Sequence, residues 1–351
     1  MGDITVMVSS RAPGKVLFAG EFAGTFELPL VMTSLGLYTT TVYVPNNGPT
    51  LTITTSFSPA TRLEVRISEL VENWEFAWAT YQRFLHSDDW GLLRNNRVGL
   101  NPLLLAIGAG LSVAPASHSG GSVDVVSELP IGSGLGSSAS MCASVLGALL
   151  SVEAPASRDL VNEWAYKVER VLNGRPSGGD NAGVVYGDWQ VYGVNKVSTP
   201  LHVVATTDFW LIDGGTPSEN SMELIAHVAQ IAREDADRQL VIKQRYKQHV
   251  ENFINNVHAG TFPYASLIEE QEINETLGIV GPRGRSIVAR VREFGGVARM
   301  CGAGGVKDGA GAILACFPNA TRDEVRVWLV ENQLDGKCVQ LGVPGWSVVH
   351  E

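Results

Sequence analysis

The sequence has no surplus of basic residues, no pair of neighbouring cysteines and no long apolar run. Its 26 lysines and arginines are outnumbered by 36 aspartates and glutamates, which gives a formal net charge of −10. Because neutralising phosphates requires a basic surface, this balance argues against nucleic acid or an anionic membrane as a partner. No apolar run reaches the roughly 18 residues of a membrane helix, and no basic segment followed by an apolar one marks a secretory leader. We therefore expect a cytoplasmic protein.

The four cysteines are widely scattered, and apolar residues flank most of them. They are Cys142, Cys301, Cys316 and Cys338. Because none forms a CxxC pair, we interpret them as reduced core thiols in a reducing compartment. None of the seven histidines falls in any of the motifs discussed below.

The length and the apolar content are sufficient for two globular domains. The chain has 351 residues, of which 45% are apolar, and this is about twice the usual size of one domain. The polar segment NKVSTP, residues 195–200, separates two groups of secondary-structure patterns. We therefore predict an N-terminal domain over 1–195 and a C-terminal domain over 196–351.

Strand patterns dominate the first 70 residues, as in LYTTTVYV (37–44) and LTITTSF (51–57). Helical patterns follow in four segments, which are 71–86, 101–115, 137–154 and 157–174. Ser157 and Gly174 are placed to begin and end the last of these helices. The helix at 71–86 carries an aromatic stripe that is typical of core or interdomain packing, and stacking against an adenine is the alternative.

The second half begins with a predicted strand over LHVVATTDFWLID (201–213). A long helical pattern over 219–257 follows, with an interruption as an open alternative. Two more helices, two strands around a glycine-rich loop, a helix and a terminal strand complete the pattern. The polar loop DGGTPSENS (213–221) is a candidate substrate-facing loop, although most such loops are simple connectors.

The stretch LPIGSGLGSSAS, residues 129–140, joins an apolar run to an apolar helix through three alternating glycines and four serines. Glycines let the backbone approach a ligand closely, and the free N–H groups at a helix start favour an anion such as phosphate. The stretch lacks the lysine of a Walker loop and the acidic strand end that follows a dinucleotide loop. A tight structural turn is the alternative interpretation.

The stretch RAPGKVLFAGEF, residues 11–22, places Lys15 inside an apolar strand pattern. A lysine in a strand usually points to solvent. One that follows Pro13-Gly14 and precedes Val16 can instead be a deliberately buried cation.

Two further stretches carry charged residues among glycines. KVERVLNGRPSGGDNAG (167–183) has Glu169 on a predicted helix and Asp180 eleven residues later in a loop. On their own, these carboxylates also fit a helix surface and a turn. CGAGGVKDGAGA (301–312) is a glycine-rich loop in which Lys307 and Asp308 also fit a plain hairpin.

Taken together, these stretches resemble the GHMP kinases, the superfamily of galactokinase, homoserine kinase, mevalonate kinase and phosphomevalonate kinase. The three motifs of that family correspond, in order, to RAPGKVLFAGEF, LPIGSGLGSSAS and CGAGGVKDGAGA, which span nearly the whole chain. The segment ERVLNGRPSGGDN is most similar to the mevalonate kinase pattern. The resemblance implies a two-domain α+β fold with an N-terminal ribosomal-S5-like domain and a C-terminal ferredoxin-like α/β sandwich.

The resemblance also implies roles for individual residues. Asp180 and Lys15 would be catalytic, and Ser138 and Glu169 would hold Mg²⁺, which prefers hard oxygen ligands. The ATP phosphates would be bound by Pro130, Gly132, Ser133, Gly134, Leu135, Gly136, Ser137 and Ser138. The acceptor substrate would be bound by Glu21, Phe22, Ser177, Gly302, Ala303 and Gly304.

The implied activity is ATP-dependent phosphorylation of a small-molecule hydroxyl, with mevalonate of isoprenoid biosynthesis as the leading acceptor. Phe22 stands where the mevalonate kinase pattern has histidine, and the third motif has GGVKDGAG in place of uninterrupted glycines. Phosphomevalonate and other alcohols or sugars are therefore alternative acceptors. A decarboxylase of the same superfamily is disfavoured because that family usually lacks the APGK strand.

An inactive ligand-binding regulator is the alternative from a different class of protein. Retention of all four catalytic and metal residues argues against it, since a pseudoenzyme is expected to lose at least one of them. A homodimer is left open.

Overall fold

The computed structural model describes residues 7–56, 60–97, 101–113, 120–205, 207–219, 221–302, 304–307 and 309–350. These residues form two β-sheets and a set of α-helices. None of the helices in these ranges is long and apolar enough to cross a membrane. Ala303 and Asp308 of the third glycine-rich stretch lie outside the described residues.

The strands are, in chain order, β1 (Val8–Ala19), β2 (Leu30–Pro45), β3 (Thr50–Thr55), β4 (Thr61–Arg66), β5 (Gly121–Ser127), β6 (Trp189–Tyr192), β7 (Ser198–Pro200), β8 (Phe209–Asp213), β9 (Val297–Met300), β10 (Ala312–Cys316), β11 (Gly336–Val339) and β12 (Ser347–His350). The helices are α1 (Ile67–Ser87), α2 (Trp90–Arg97), α3 (Pro102–Val113), α4 (Ser137–Leu150), α5 (Arg158–Asn173), α6 (Gly179–Tyr186), α7 (Ser221–Glu234), α8 (Ala236–His258), α9 (Ser266–Thr276), α10 (Pro282–Glu293) and α11 (Arg322–Glu331).

The larger sheet has eight strands among the described residues, in the order β12-β1-β2-β5-β3-β4, with β6 paired to β2 and β7 to β6. The burial pattern of β2 changes along the strand. Its first six residues are all buried, and the residues that follow alternate between buried and partly exposed. A strand that is covered on both faces therefore becomes a strand that is covered on one face.

The C-terminal strand β12 returns to the larger sheet and pairs antiparallel with β1. Beside it, the Trp346 Nε1–H donates a 2.7 Å hydrogen bond to Ser10 Oγ. Trp346 also packs directly against Gly147. A Cβ at position 147 would lie 2.0 Å from the indole nitrogen, so a larger residue would collide with Trp346. The small residues of α4 thus let β12 and the sheet come close together.

Helix α4 is buried along nearly its whole length and packs against β1 and β2. Its alanines, serines and glycine allow that close approach. Helices α3 and α5 pack against it, and α1 packs against α3. The aromatic residues Trp74, Tyr81 and Phe84 of α1 are buried in the core that these helices share. Core packing of the aromatic stripe is therefore confirmed for these three side chains, whereas Phe76 is 61% exposed.

The smaller sheet has four described strands in the order β11-β8-β10-β9, all antiparallel. Its apolar residues share a core with the larger sheet. Phe18 of β1, for example, meets Phe209 of β8 edge to face at 6.1 Å between ring centroids. The α+β expectation is confirmed, while the division at residue 195 stays a prediction.

Several local predictions can be compared with the structure. Ser157 does cap α5, because its side chain accepts a 3.2 Å hydrogen bond from Leu160 N–H. The long pattern over 219–257 forms two helices, since Asp235 caps α8 by accepting a 2.8 Å bond from Arg238 N–H. The strand predicted over 201–213 was too long, because only β8 is strand there. Helices α2 and α6 were not predicted.

Candidate active site

Lys15 and Asp180 form the centre of the candidate site. Lys15 Nζ lies 2.9 Å from Asp180 Oδ1, and the lysine side chain is 4% exposed while the aspartate side chain is 42% exposed. Lys15 comes from β1, and Asp180 comes from the first turn of α6, which packs against β1. Of the two interpretations of Lys15, the buried cation is confirmed.

The charge of Lys15 is maintained by its neighbours. Burial lowers the pKa of this amine, but attraction to the Asp180 and Glu21 carboxylates more than offsets that effect, so the pKa of Lys15 is raised. An amine in this environment stays protonated at neutral pH.

The glycine-rich loop lies directly beside Lys15. The Lys15 backbone N–H donates a 2.9 Å hydrogen bond to the Leu135 carbonyl. A Cβ on Gly136 would lie 2.7 Å from Lys15 Cγ, so only glycine fits against the lysine stem. Strand β1 and the loop therefore hold one another in place.

The loop itself follows a left-handed path. Gly132, Gly134 and Gly136 have φ values of +72°, +80° and +73°, which glycine adopts without steric cost. Gly136 is the N-cap of α4 and has no side chain to cap the helix, and the first turn of α4 contains no acidic residue. The helix start therefore presents backbone N–H groups, which suits an anion.

The remaining residues assigned to this loop differ in exposure. Pro130 and Ser138 are exposed, Ser137 is half-buried and Leu135 is buried. The Ser133 hydroxyl donates to the Pro130 carbonyl at 2.8 Å. Ser133 thus stabilises the turn, whereas Ser138 is placed at the exposed helix start.

The glycine-rich stretch at 301–312 contacts the one at 129–140. A Cβ on Gly134 would lie 2.4 Å from Gly302 Cα, so the two loops meet backbone to backbone. Gly302 and Gly304 both have positive φ values, +67° and +83°. The structure thus brings Gly302 against the glycine-rich loop, with Gly304 two residues further along.

Glu169 on α5 is half-buried, and its carboxylate oxygen Oε2 is buried. Its Oε2 has no hydrogen-bond partner among the described residues. Burial and the nearby Asp180 carboxylate raise the pKa of Glu169 to about 8, against the lowering effect of Lys15 and Lys196. A divalent cation would supply the partner that Oε2 lacks, so the donor set of Glu169 with the exposed Ser138 hydroxyl fits Mg²⁺. Among the described residues there is no group of three or more His, Cys, Asp or Glu that could hold a metal.

The turn that follows β1 carries Glu21 and Phe22. Glu21 is buried and accepts a 2.8 Å hydrogen bond from Arg299 Nη1. Burial raises the pKa of Glu21 in spite of Arg299 and Lys15. Phe22 is 4% exposed and packs in the core. Ser177 is exposed and lies close to this turn, because a Cβ on Gly24 would be 4.0 Å from Ser177 Cβ.

Sequence reasoning missed the buried partners of this turn. Glu270 accepts hydrogen bonds from the backbone N–H groups of Gly20 at 2.7 Å and Glu21 at 2.8 Å. His249 Nε2 lies 3.1 Å from Glu270 Oε2, the oxygen that also accepts from Gly20 N–H. Arg299 is fully buried and also donates to the Leu17 carbonyl. These partners are hundreds of residues away in the chain, so no local pattern indicates them.

The comparisons with known proteins agree with this geometry. Residues 104–188 match the family model for the GHMP kinases N terminal domain, and they contain the glycine-rich loop, Glu169 and Asp180. Over these residues the chain is similar to the GHMP kinase family.

The relatives extend that match. Over 219 residues the chain is 27% identical to the mevalonate kinase of Arabidopsis thaliana, covering 52% of this chain and 56% of that protein. Over 215 residues it is 30% identical to the mevalonate kinase of Homo sapiens, covering 54% of each. The chain thus spans about half the length of the curated relatives it matches.

The structural similarity covers the whole molecule. The crystal structure of the Methanococcus jannaschii mevalonate kinase superposes with a TM-score of 0.76 over 97% of this chain and 99% of that chain. The two sequences are 18% identical, so the superposition shows a shared fold.

Proposed function

We propose that this protein transfers the γ-phosphoryl group of ATP to the hydroxyl of a small molecule, and that the acceptor is mevalonate, forming 5-phosphomevalonate. The observation that carries the proposal is the 2.9 Å ion pair between Lys15 and Asp180, placed beside a glycine-rich helix start. Phosphoryl transfer needs mainly positioning and electrostatic stabilisation, and this arrangement supplies both.

Asp180 is the group suited to handle the acceptor proton. Its carboxylate is partly exposed, so a substrate hydroxyl can reach it. It orients the hydroxyl for attack on the γ-phosphorus and accepts the proton as the new P–O bond forms.

Lys15 and the glycine-rich loop are suited to the charge of the phosphates. The buried ammonium lies where negative charge on the reacting oxygen and the transferred group would develop, and little solvent screens it. The backbone N–H groups at the start of α4 would contact the phosphates of ATP. Both sets of donors are fixed by the packing of β1 against the loop, so they need no rearrangement during the reaction.

Glu169 and Ser138 are the residues that would hold Mg²⁺. A Mg²⁺ ion held by these residues would supply positive charge that neutralises part of the charge of the ATP phosphates. Mg²⁺ usually takes only one or two carboxylates and keeps water and phosphate oxygens as its other ligands. One buried carboxylate and one hydroxyl are therefore a sufficient protein contribution.

The choice of mevalonate is supported by the curated relatives, which are named mevalonate kinases. The turn that follows β1, which we propose faces the acceptor, differs from the mevalonate kinase pattern at Phe22. The side chain of Phe22 is apolar and buried. Phosphomevalonate and a panel of sugars therefore belong in the same experiment.

The test is ADP release with Mg²⁺-ATP and each acceptor, for the wild type and for Asp180→Asn. We expect turnover with mevalonate that the substitution lowers by at least about 10³-fold, because the group that accepts the proton is lost. Asp323→Asn is the matched control, since Asp323 is 89% exposed on α11. Turnover only with another acceptor would refute mevalonate, and full activity of Asp180→Asn would refute the mechanism.

A further inference from the structure

Two tyrosine hydroxyls bind the loop that precedes Asp180. Tyr192 Oη donates a 2.9 Å hydrogen bond to the Ser177 carbonyl. Tyr166 Oη donates a 3.0 Å bond to the Pro176 carbonyl. Tyr192 comes from β6 and Tyr166 from α5, so the larger sheet and a helix each hold one of two consecutive carbonyls. Asp180, in the first turn of α6, lies only three residues after Ser177.

Lys196 determines the direction of one of these hydrogen bonds. Its Nζ lies 2.7 Å from Tyr166 Oη, and an ammonium can only donate. Tyr166 Oη therefore accepts from Lys196 and must direct its own hydrogen to the Pro176 carbonyl. Lys196 lies in the polar segment that separates the two predicted domains.

Gly178 brings the two tyrosines into direct contact with the backbone. It has φ +85°, and a Cβ there would lie 3.0 Å from both Tyr166 Cε2 and Tyr192 Oη. Gly178 is the N-cap of α6. The tyrosines therefore restrain the residue at which the helix of Asp180 begins, and not only the loop before it.

We propose that Tyr166 and Tyr192 are positioning residues for phosphoryl transfer, which hold the 176–178 backbone so that Asp180 faces Lys15 and the acceptor hydroxyl. This inference rests on the proposed kinase function. The two residues act through Asp180 and need no contact with the substrate. Lys196 supports the arrangement through Tyr166.

The protonation state of Tyr192 is consistent with this role. Burial, with smaller contributions from Tyr166 and Glu169, raises the pKa of Tyr192. The hydroxyl therefore keeps the proton that it donates to the loop throughout the neutral pH range.

The first test compares Tyr192→Phe and Tyr166→Phe with the wild type in ADP release. We expect kcat to fall by roughly tenfold to a hundredfold, because misplacement of a catalytic group by a fraction of an ångström to 1 Å costs about that much. The KM for ATP should stay unchanged, since the phosphate loop is not involved. Tyr186→Phe is the matched control: Tyr186 ends α6 but donates to Asp159 Oδ1 at 2.8 Å.

The second test repeats Tyr192→Phe in the Asp180→Asn background. A residue that acts by positioning Asp180 has no further effect once the carboxylate is absent, so the double variant should match Asp180→Asn alone. A general structural defect would lower the residual rate in both backgrounds. Lys196→Met should lose less activity than Tyr166→Phe, and a larger loss would contradict an action through Tyr166.

Hydrogen exchange gives a readout that does not require turnover. Amides of the 176–183 segment should exchange faster in Tyr192→Phe and Tyr166→Phe than in the wild type, with thermal stability nearly unchanged. Unchanged exchange, or unchanged kcat in both variants, would overturn the positioning role. Absence of turnover by the wild type with every acceptor would instead refute the kinase proposal, and exchange would still decide whether the tyrosines hold the loop.

Discussion

Replacing Glu21 with glutamine removes one charge from a buried ion pair and leaves its partner in place. Arg299 is 0% exposed and Glu21 is 4% exposed in the pair. The guanidinium also donates to the Leu17 and Met300 carbonyls, but neither carbonyl carries a compensating charge. The variant therefore places an arginine in the core with its nearest anion neutralised.

The size of the effect follows from this burial. Breaking a buried pair by removing one partner typically costs about 3–5 kcal/mol. Glutamine keeps an oxygen that can accept one N–H bond, and the Glu270 charge is also felt by Arg299, so we expect a loss near the lower limit, about 3 kcal/mol. That is a large share of the roughly 5–15 kcal/mol by which a folded domain exceeds the unfolded chain.

The assay is urea unfolding of wild type and variants, followed by circular dichroism and tryptophan fluorescence. Asp208→Asn is the matched control, because Asp208 and Arg322 form a bidentate pair with 38% and 61% of their side chains exposed. An exposed pair contributes at most about 1 kcal/mol. The double variant Glu21→Gln/Arg299→Met should lose about 2 kcal/mol less than the sum of its single variants. Equal losses for Glu21→Gln and the control, or strict additivity, would refute the reasoning.

Three further substitutions test the roles proposed for the glycine-rich loop and for Glu169. Gly134→Ala should abolish ATP binding in a nucleotide titration, because its Cβ would lie 2.4 Å from Gly302 Cα. Gly132→Ala should retain more of the affinity, because its Cβ would have nothing within 4 Å. Equal affinities of the two variants would contradict the close contact between the two glycine-rich stretches. Since the pKa of Glu169 is raised from its ordinary value of 4.5 to about 8, the metal-free protein should lose stability as the pH rises from 4.5 to about 8. The melting temperature of Glu169→Gln should not show this pH-dependent loss. For the same reason Mg²⁺-nucleotide affinity should increase with pH up to about 8 in the wild type only, as calorimetry can measure.

Two features of the candidate site depend on local sequence alone. The first is the set of alternating glycines, Gly132, Gly134 and Gly136, which have left-handed backbone, a conformation that glycine adopts without steric cost. The second is the buried cation at Lys15, which was one of two interpretations of that strand. An apolar strand that is covered on both faces leaves a lysine within it no face that is open to solvent. The predicted catalytic, nucleotide, metal and acceptor roles stay predictions until the experiments above are done.

Other features depend on contacts between distant residues and leave no local pattern. Helix α6 has eight residues, two of them glycine, and its propensity is low; packing against β1 and β2 and the tyrosine hydrogen bonds stabilise it instead. Glu270 lies 250 and 249 residues away from Gly20 and Glu21, its partners in the turn that follows β1. A buried carboxylate on a helix of mixed polarity cannot be distinguished by periodicity from an exposed one.

The return of β12 to the edge of β1 has a consequence for the order in which the molecule can be built. Ser10 and Trp346, which meet beside this pairing, are 336 residues apart. At common rates of translation, roughly 15 to 70 s separate the synthesis of the two strands. Throughout that time the outer edge of the strand that carries Lys15 has no pairing partner and is a template for aggregation. Contacts of such long sequence separation also form slowly. We therefore expect folding yield, more than final stability, to depend on chaperones that shield β1 until residues 347–350 have been made.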